Sequence, residues 1–494
     1  MSLPLILAVL IALGFEPSDK SVSPTGADVW SRLIEMGLVI GTVAVISRVL
    51  GHWILIKSRS SANASSARRA MLIGSRFLDL LLLAAYVLIV FVMKWPDVVR
   101  SGLGLQHAIL VDELLILGPY IIGQMMIWGG LYPAARQLNQ ASHRPQAHRN
   151  VLTYVMMKTR QSLGLLLPIA LAFPLGQDLA RRYWPGWSES PFGQFFLIAL
   201  TGIAILIVSP ALIRIAWSTR PLPVGPTRDR LERLAIRHQF RYTDILIWQT
   251  ENTIANAGVT GIFAWFRYIL LTDGLLESLD TNEVSAVFGH EMGHIAYRHL
   301  FYFGFFFLMS MGLVAIGSAS IETFSPVKWS FDFSQWSFES GTRHFAAGLA
   351  VVLIGSMMIC IFGHLSRCFE READIYGCRA VSCGRQECPP HLNLEARDIQ
   401  AKSCVHVCPV GISIFVRALT RVASRNRVGI DAKSWRHGTI AHRIAFLEGL
   451  EGHPRSEDVF ARKMLSLRVG LAVGLVGLLI VAMLMTVVDP QTVP

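Results

Sequence analysis

Charge is scarce in this chain. Only 16% of its 494 residues are Asp, Glu, Lys or Arg, 52% are hydrophobic, and the mean hydropathy is +0.46. That balance excludes an ordinary soluble protein, which carries about 25% charged residues. Acids are scarcer than bases, 34 against 45, giving a formal charge of +11. No base-stacking or phosphate-cradling motif accompanies this excess, so no nucleic-acid partner is implied. Cysteine is also sparse. There are seven, five of them within 378–408: Cys378, Cys383, Cys388, Cys404 and Cys408. Their spacings (C-x4-C, C-x4-C, C-x3-C) lack the paired CxxC of a zinc ribbon. Free thiols, a disulfide-stapled loop and a second, structural zinc site that includes His391 or His406 all stay open. A cytoplasmic location disfavours the disulfide. The first apolar run, LPLILAVLIALGF at 3–15, lacks a basic n-region and a small-residue cleavage site, so it reads as a short retained span rather than a signal peptide. No organelle-targeting or retention signal is visible, which favours a bacterial cytoplasmic membrane.

What the chain has instead is apolar length. Runs at 33–56, 71–93, 108–131, 193–217, 300–320, 345–364 and 466–487 approach or exceed the roughly 20 residues needed to cross a bilayer. Shorter candidates lie at 3–15 and 162–176, so seven to nine spans are expected; Pro168 and Pro174 would also allow a re-entrant segment at 162–176. Lys57, Arg59, Arg68 and Arg69 mark one loop, and Arg136, Arg144, Arg149, Lys158 and Arg160 another, whereas 16–32 and 94–107 are poor in basic residues. With nine spans, these basic loops and the polar stretches 218–299 and 365–465 all fall on the cytoplasmic side. There the surplus positive charge faces anionic lipid. Arg48, Asp79, Asp112 and Glu113 fall in or near apolar runs; they either line a wet cavity or sit paired at the interface.

The expected organisation is a transmembrane region at 1–217, a first half of a catalytic domain at 218–299, a transmembrane helical pair at 300–364, a second half at 365–465, and a last span and tail at 466–494. Within the first polar stretch, Leu231, Leu234 and Ala235 share one face of a helix over 228–237. DILIWQ (244–249) and RYILLT (267–272) read as strands. Asn256, Ala257, Gly258 and Gly261 between them suit turns or a bulged edge.

The five residues HEMGH, His290 to His294, carry the chemistry. On a helix, positions i and i+4 share a face, so His290 and His294 can hold one metal ion while Glu291 reaches a water beside it. Asp280 precedes Glu283 by three, a capping-box spacing, so the helix starts near Thr281 and holds the motif in its interior. The bland alternative is an amphipathic helix with two ordinary polar histidines. A zinc ion needs a third protein ligand. In SRCFEREAD (366–374), Glu370 and Asp374 share a helix face while Glu372 points elsewhere; Glu370 can bind metal and Asp374 can orient a ligating histidine. A solvated, mixed-charge helix is the alternative there.

HEMGH followed by SRCFEREAD resembles the gluzincin membrane metalloproteases of the M48 class, which includes the CAAX prenyl (Ste24-like) proteases and the bacterial quality-control protease HtpX. The family pattern, HExxH with a later SRxxExxAD, matches at His290, Glu291, His294, Ser366, Arg367, Glu370, Ala373 and Asp374. The resemblance implies a multi-pass α-helical membrane protein with an α+β zincin-like catalytic domain. It implies one catalytic zinc on His290, His294 and Glu370, with Asp374 behind them and Glu291 as general base. Asn256 and Ala257 are similar to the region that supplies a substrate-binding edge strand. HGTIAHRIAFL (437–447) is similar to the family's HPxxxxRIxxL segment, with Gly438 in place of its proline and His442 where an acid is common. His437 is thereby a candidate to stabilise an oxyanion, and Arg443 a structural residue. The resemblance covers roughly 228–450. It implies a protein or peptide substrate at the lipid bilayer, cleaved by a metalloendopeptidase. A transporter, or a catalytically silent peptide-binding scaffold, with a structural metal is the alternative. Nothing in the sequence sets the oligomeric state.

Overall fold

The computed structural model describes residues 3–14, 26–59, 64–105, 108–140, 150–188, 191–250, 252, 254–324, 338–382 and 407–487. In chain order the elements are α1 (Leu3–Gly14), α2 (Gly26–Ser58), α3 (Ala64–Val87), α4 (Trp95–Asp97), α5 (Val111–Gln140), α6 (Val151–Tyr183), α7 (Pro185–Ser188) and α8 (Pro191–Ala216). There follow β1 (Thr219–Pro221), α9 (Pro226–Arg237), β2 (Asp244–Trp248), β3 (Ala257–Thr260), β4 (Tyr268–Thr272) and α10 (Asp273–Ser278). The chain continues with α11 (Thr281–Ala296), α12 (His299–Phe324), α13 (Phe338–Ala380), α14 (Pro409–Asn426), α15 (Ile440–Glu448) and α16 (Pro454–Val487). Two compact units result: Met1–Pro221 with Leu246–Thr253 and Thr260–Tyr268, and Leu222–Ile245 with Ile254–Val259 and Ile269–Pro494.

The first unit is dominated by helices. Among the described residues, Val29–Ser58, Ser66–Val92, Val111–Leu138 and, in the second unit, Arg455–Val481 are long and apolar enough to cross a membrane. The protein is a multi-pass membrane protein. The runs 300–320 and 345–364 lie on α12 and α13, helical throughout. α6 runs unbroken for 33 residues through Pro168 and Pro174, so 162–176 forms no re-entrant turn. Proline removes one helical hydrogen bond, which neighbouring helices can offset. Asp112 pairs with Arg100 at 2.9 Å and Asp79 accepts from Gln124 Nε2 at 3.2 Å, so two of the three acids in or near apolar runs find these partners.

The sheet has strand order β1-β2-β4-β3, which puts β3 at an edge. β1 runs antiparallel to β2 with Thr219 opposite Trp248 and Pro221 opposite Leu246. β3 is an edge strand at 257–260; the residues alone suggest turns or a bulged edge there, and the resemblance implies an edge strand. β4, by contrast, is buried at every position.

In the second unit α13 is flanked by two cores. Ala286, Ile375, Cys378, Ile412, Phe415 and Leu447 join it to α11, α14 and α15, while Phe306, Leu365, Phe369, Met464 and Leu471 join it to α12 and α16. α11 begins with the expected capping box: the Asp280 carboxylate accepts from Asn282 N and Glu283 N, and Glu283 accepts from Asp280 N. Fully buried Glu283 also pairs with Arg417 and Arg421, tying α11 to α14. Arg298, at φ 55°, turns the chain between α11 and α12. Of the clustered cysteines, Cys378 is buried on α13 and Cys408 caps α14; Cys383, Cys388 and Cys404 lie outside the described residues.

Candidate metal centre and active site

α11 and α13 meet across glycines. A Cβ on Gly293 would lie 2.9 Å from Tyr376 Cβ and 3.1 Å from Ala373 Cα; one on Gly377 would lie 2.8 Å from Ala286 O. This close approach carries Glu370 and Asp374 to the histidines of α11. His290 Nε2 and His294 Nε2 are 3.2 Å apart, Glu370 Oε2 is 3.7 Å from the first and Oε1 is 3.8 Å from the second. It is the one group of three His, Cys, Asp or Glu side chains with converging ligand atoms found among the described residues. Ligands about 2.0–2.1 Å from a tetrahedral zinc stand about 3.3 Å apart; the two imidazole nitrogens have that spacing, and the Glu370 oxygens lie slightly farther out. Their chemistry, two imidazole nitrogens and one carboxylate, fits the same ion.

Around these three lies a ring of supports. Asp374 Oδ1 is 2.9 Å from His290 Nδ1, on the side of the ring away from the cluster. Arg443 donates to both oxygens of Asp374, from Nε at 2.8 Å and Nη2 at 2.5 Å, and its Nη1 is 3.3 Å from Glu370 Oε2. It thus fixes the two carboxylates relative to each other. His437 Nδ1 is 2.9 Å from Glu370 Oε1, so its contact is with the third-ligand candidate. The turn carrying His437 is held by Arg367, which donates to Trp435 O at 2.7 Å. Gly438 sits there at φ 74°, a conformation closed to proline; this accounts for the glycine where the family pattern has proline.

Burial and charge set the protonation of this cluster. Burial would raise Glu370, but the His437 hydrogen bond and the charges of His290 and Arg443 outweigh it and hold the carboxyl far below its usual range. Asp374 is likewise lowered, burial being overcome by Arg443 and His290. Burial pushes His294 down to about 3, helped by the charge of His290, so its imidazole is neutral and able to ligate. For His290 burial acts downward, but Asp374 and Glu370 outweigh it and raise the pKa. Glu291 is raised, chiefly by burial, with the charge of His290 and a hydrogen bond from the Val259 backbone acting in the opposite sense.

These groups line one cavity of about 460 Å³, which His290, Glu291, His294, Glu370, His437 and Arg443 share with Asn256 and Ala257. The entry to β3 is pinned. Asn426 accepts from Ala255 N at 2.9 Å and donates to Ala255 O at 2.7 Å, and Thr272 holds both the N–H and the C=O of Asn256. All eight residues singled out in the sequence therefore fall in one neighbourhood. Three others were missed: Val259, whose N–H reaches Glu291, and His299 and Glu372, which lie behind His294. No local pattern marks them: Val259 and Glu372 act across elements distant in sequence, and His299, five residues from His294, lies beyond the end of α11, off its helical period.

The comparisons with known proteins agree. Residues 225–390 match the family described as Peptidase family M48. A protease HtpX homolog of Aeropyrum pernix is 25% identical over 260 residues, 48% of this chain and 76% of that protein. A CAAX prenyl protease 1 homolog of Arabidopsis thaliana is 25% identical over 185 residues, 36% of this chain and 42% of that protein. The chain spans about half the length of most of the curated relatives it matches. In fold it is similar to the crystal structure of S. mikatae Ste24p, with TM-score 0.50 and 16% identity over 83% of this chain and 98% of that one. Both motif helices lie inside the segment that matches Peptidase family M48.

Proposed function

We propose that this metallopeptidase is a zinc-dependent endopeptidase that cleaves membrane-associated or misfolded proteins by Glu291-assisted attack of water. The observation that carries the reading is the convergence of His290 Nε2, His294 Nε2 and a Glu370 oxygen, with Glu291 lining the same cavity. His290, His294 and Glu370 would hold the zinc ion, which when bound would supply a Lewis acid for the attacking water and the scissile carbonyl. Glu291 takes the proton of the attacking water and passes it to the leaving amine; its raised pKa suits a group that must both accept and release one. The Val259 N–H holds that carboxylate beside the edge strand. Asp374 and Arg443 orient His290 and Glu370. His437, half exposed in the cavity, supports the oxyanion side. An extended peptide adds to β3 near Asn256 and Ala257, because main-chain pairing orients a substrate without strict sequence demands.

The proposed setting is a bacterial cytoplasmic membrane with the site on the cytoplasmic face. Prenylated C-termini, damaged membrane proteins and signalling precursors are the candidate substrates. A transporter or silent scaffold is not favoured, since neither needs a buried base beside a full ligand set. The test is metal analysis plus cleavage of casein or a peptide, with and without chelator. Wild type is expected to carry one zinc and to lose cleavage on chelation. Glu291→Gln is expected to keep zinc and lose at least about 100-fold in rate, the low end for removing a general base. Full activity in that variant would remove the proposed base, and catalysis without metal would remove the zinc reading.

A further inference from the structure

His294 offers Nε2 to the donor cluster, and its other ring nitrogen is also engaged. Nδ1 of His294 lies 2.9 Å from Nδ1 of His299, and Nε2 of His299 lies 2.9 Å from Oε2 of Glu372. The same Glu372 oxygen is paired with Nη2 of Arg468, on α16. His299 is 1% exposed and Glu372 5%. Packing fixes the chain of contacts: the His299 ring stacks on Phe369, with centroids 4.3 Å apart and planes 4° from parallel. The Arg468 guanidinium lies over Tyr297 and Tyr302 at 5.2 and 5.5 Å.

With Glu372 ionised, the form that its Arg468 partner favours, the protons of this chain of contacts have one consistent assignment. A carboxylate only accepts, so His299 donates Nε2–H to Glu372 and its Nδ1 carries the lone pair. That lone pair can only accept, so His294 donates Nδ1–H to it. His294 is then left with its lone pair on Nε2, the nitrogen facing His290 and Glu370. We infer that His299 and Glu372 are positioning residues that fix the tautomer and ring orientation of His294, with Arg468 anchoring the far end from the C-terminal helix. His290 is held by Asp374, and this relay does the same for the other imidazole through one more link. The inference rests on the zinc reading proposed above. Groups behind a ligating histidine typically contribute 10–100-fold in metal affinity.

The experiment measures zinc affinity of the full-length protein in detergent by competition with a chelating dye. His299→Phe keeps a flat ring for Phe369 but offers no acceptor; it is expected to bind zinc about 10–100-fold more weakly. His299→Asn gives up the ring but places a carbonyl oxygen near the Nδ1 position; it is expected to stay within about 3-fold of wild type, below that 10–100-fold range. A purely packing role predicts the opposite order. Cobalt-substituted protein gives a second readout: the visible bands should shift in His299→Phe and not in His299→Asn. Unchanged affinity in His299→Phe, or the reversed order, overturns the inference. If His299→Phe does not fold, Glu372→Leu decides, since it offers His299 no acceptor: weaker zinc binding at an unchanged 1:1 stoichiometry supports the relay, and wild-type affinity overturns it. Failure of wild type itself to bind zinc would instead overturn the proposed function, so the two failures are distinguishable.

Discussion

At the scale of single residues, burial acts on neighbouring groups in different directions because their partners differ. His294 is neutral because burial and His290 push it down, whereas His290 is raised because Asp374 and Glu370 face it. His238 shows the same physics away from the metal. Burial lowers its pKa from 6.5 to about 4, and its Nδ1 is 3.1 Å from the hydroxyl of Tyr376 on α13. Between pH 6.5 and about 4 the unfolded chain binds this proton and the folded one does not, so unfolding gains protons and stability falls as pH falls through that window. The unfolding midpoint in detergent should therefore drop between pH 7.5 and 5. His238→Asn, which keeps an acceptor for Tyr376 but cannot titrate, should drop less. Parallel pH curves for the two proteins would count against the buried, neutral histidine.

At the scale of elements, the α11–α13 crossing decides whether a metal centre exists. Gly377 has Phe415 Cε2 at 2.7 Å and Ala286 O at 2.8 Å from the position of an added Cβ, so a methyl group there forces the helices apart. Gly377→Ala should cost about 1–3 kcal/mol through overpacking, and zinc affinity should fall with it, since Glu370 and His290 sit on the separated helices. Gly355→Ala on the same α13, with nothing within 4 Å, is the control and should leave both unchanged. Equal behaviour of the two variants would mean that the crossing tolerates the methyl group. Much of this geometry was legible beforehand. HExxH and Glu370 with Asp374 obey the helical period, the capping box sets the start of α11, and the apolar runs marked the long helices. β3 was legible only through the family resemblance, because AGVT has no alternation and all four residues are only partly buried, so nothing but a partner strand makes it a strand. His299 and Glu372 were not legible either. They are 73 residues apart, and Glu372, off the face of the third-ligand candidate, gains its role only from what α12 and α16 bring to it.

At the scale of the molecule, one distance constrains the topology. His290 belongs to the polar stretch before α12 and Glu370 to the stretch after the apolar part of α13, yet their side chains are 3.7 Å apart. A metal shared between them requires both stretches on the same face of the bilayer. The apolar runs 300–320 and 345–364 must then cross as an out-and-back pair, or neither crosses. On the orientation proposed from the placement of basic residues, that face is the cytoplasmic one. Short protease sites inserted at two exposed loops test this in sealed inverted vesicles: one beside Val224, which is 88% exposed, and one after Gly452 in the exposed turn before α16. Both sites should be cut from the outside of inverted vesicles and neither in right-side-out ones. The insertions lie in loops that pack against none of the metal-cluster residues, so zinc content should be retained and certifies that the tagged proteins are folded. Cleavage of the two sites from opposite sides, with zinc still bound, would break the link between metal sharing and a common face, and with it the proposed cytoplasmic orientation.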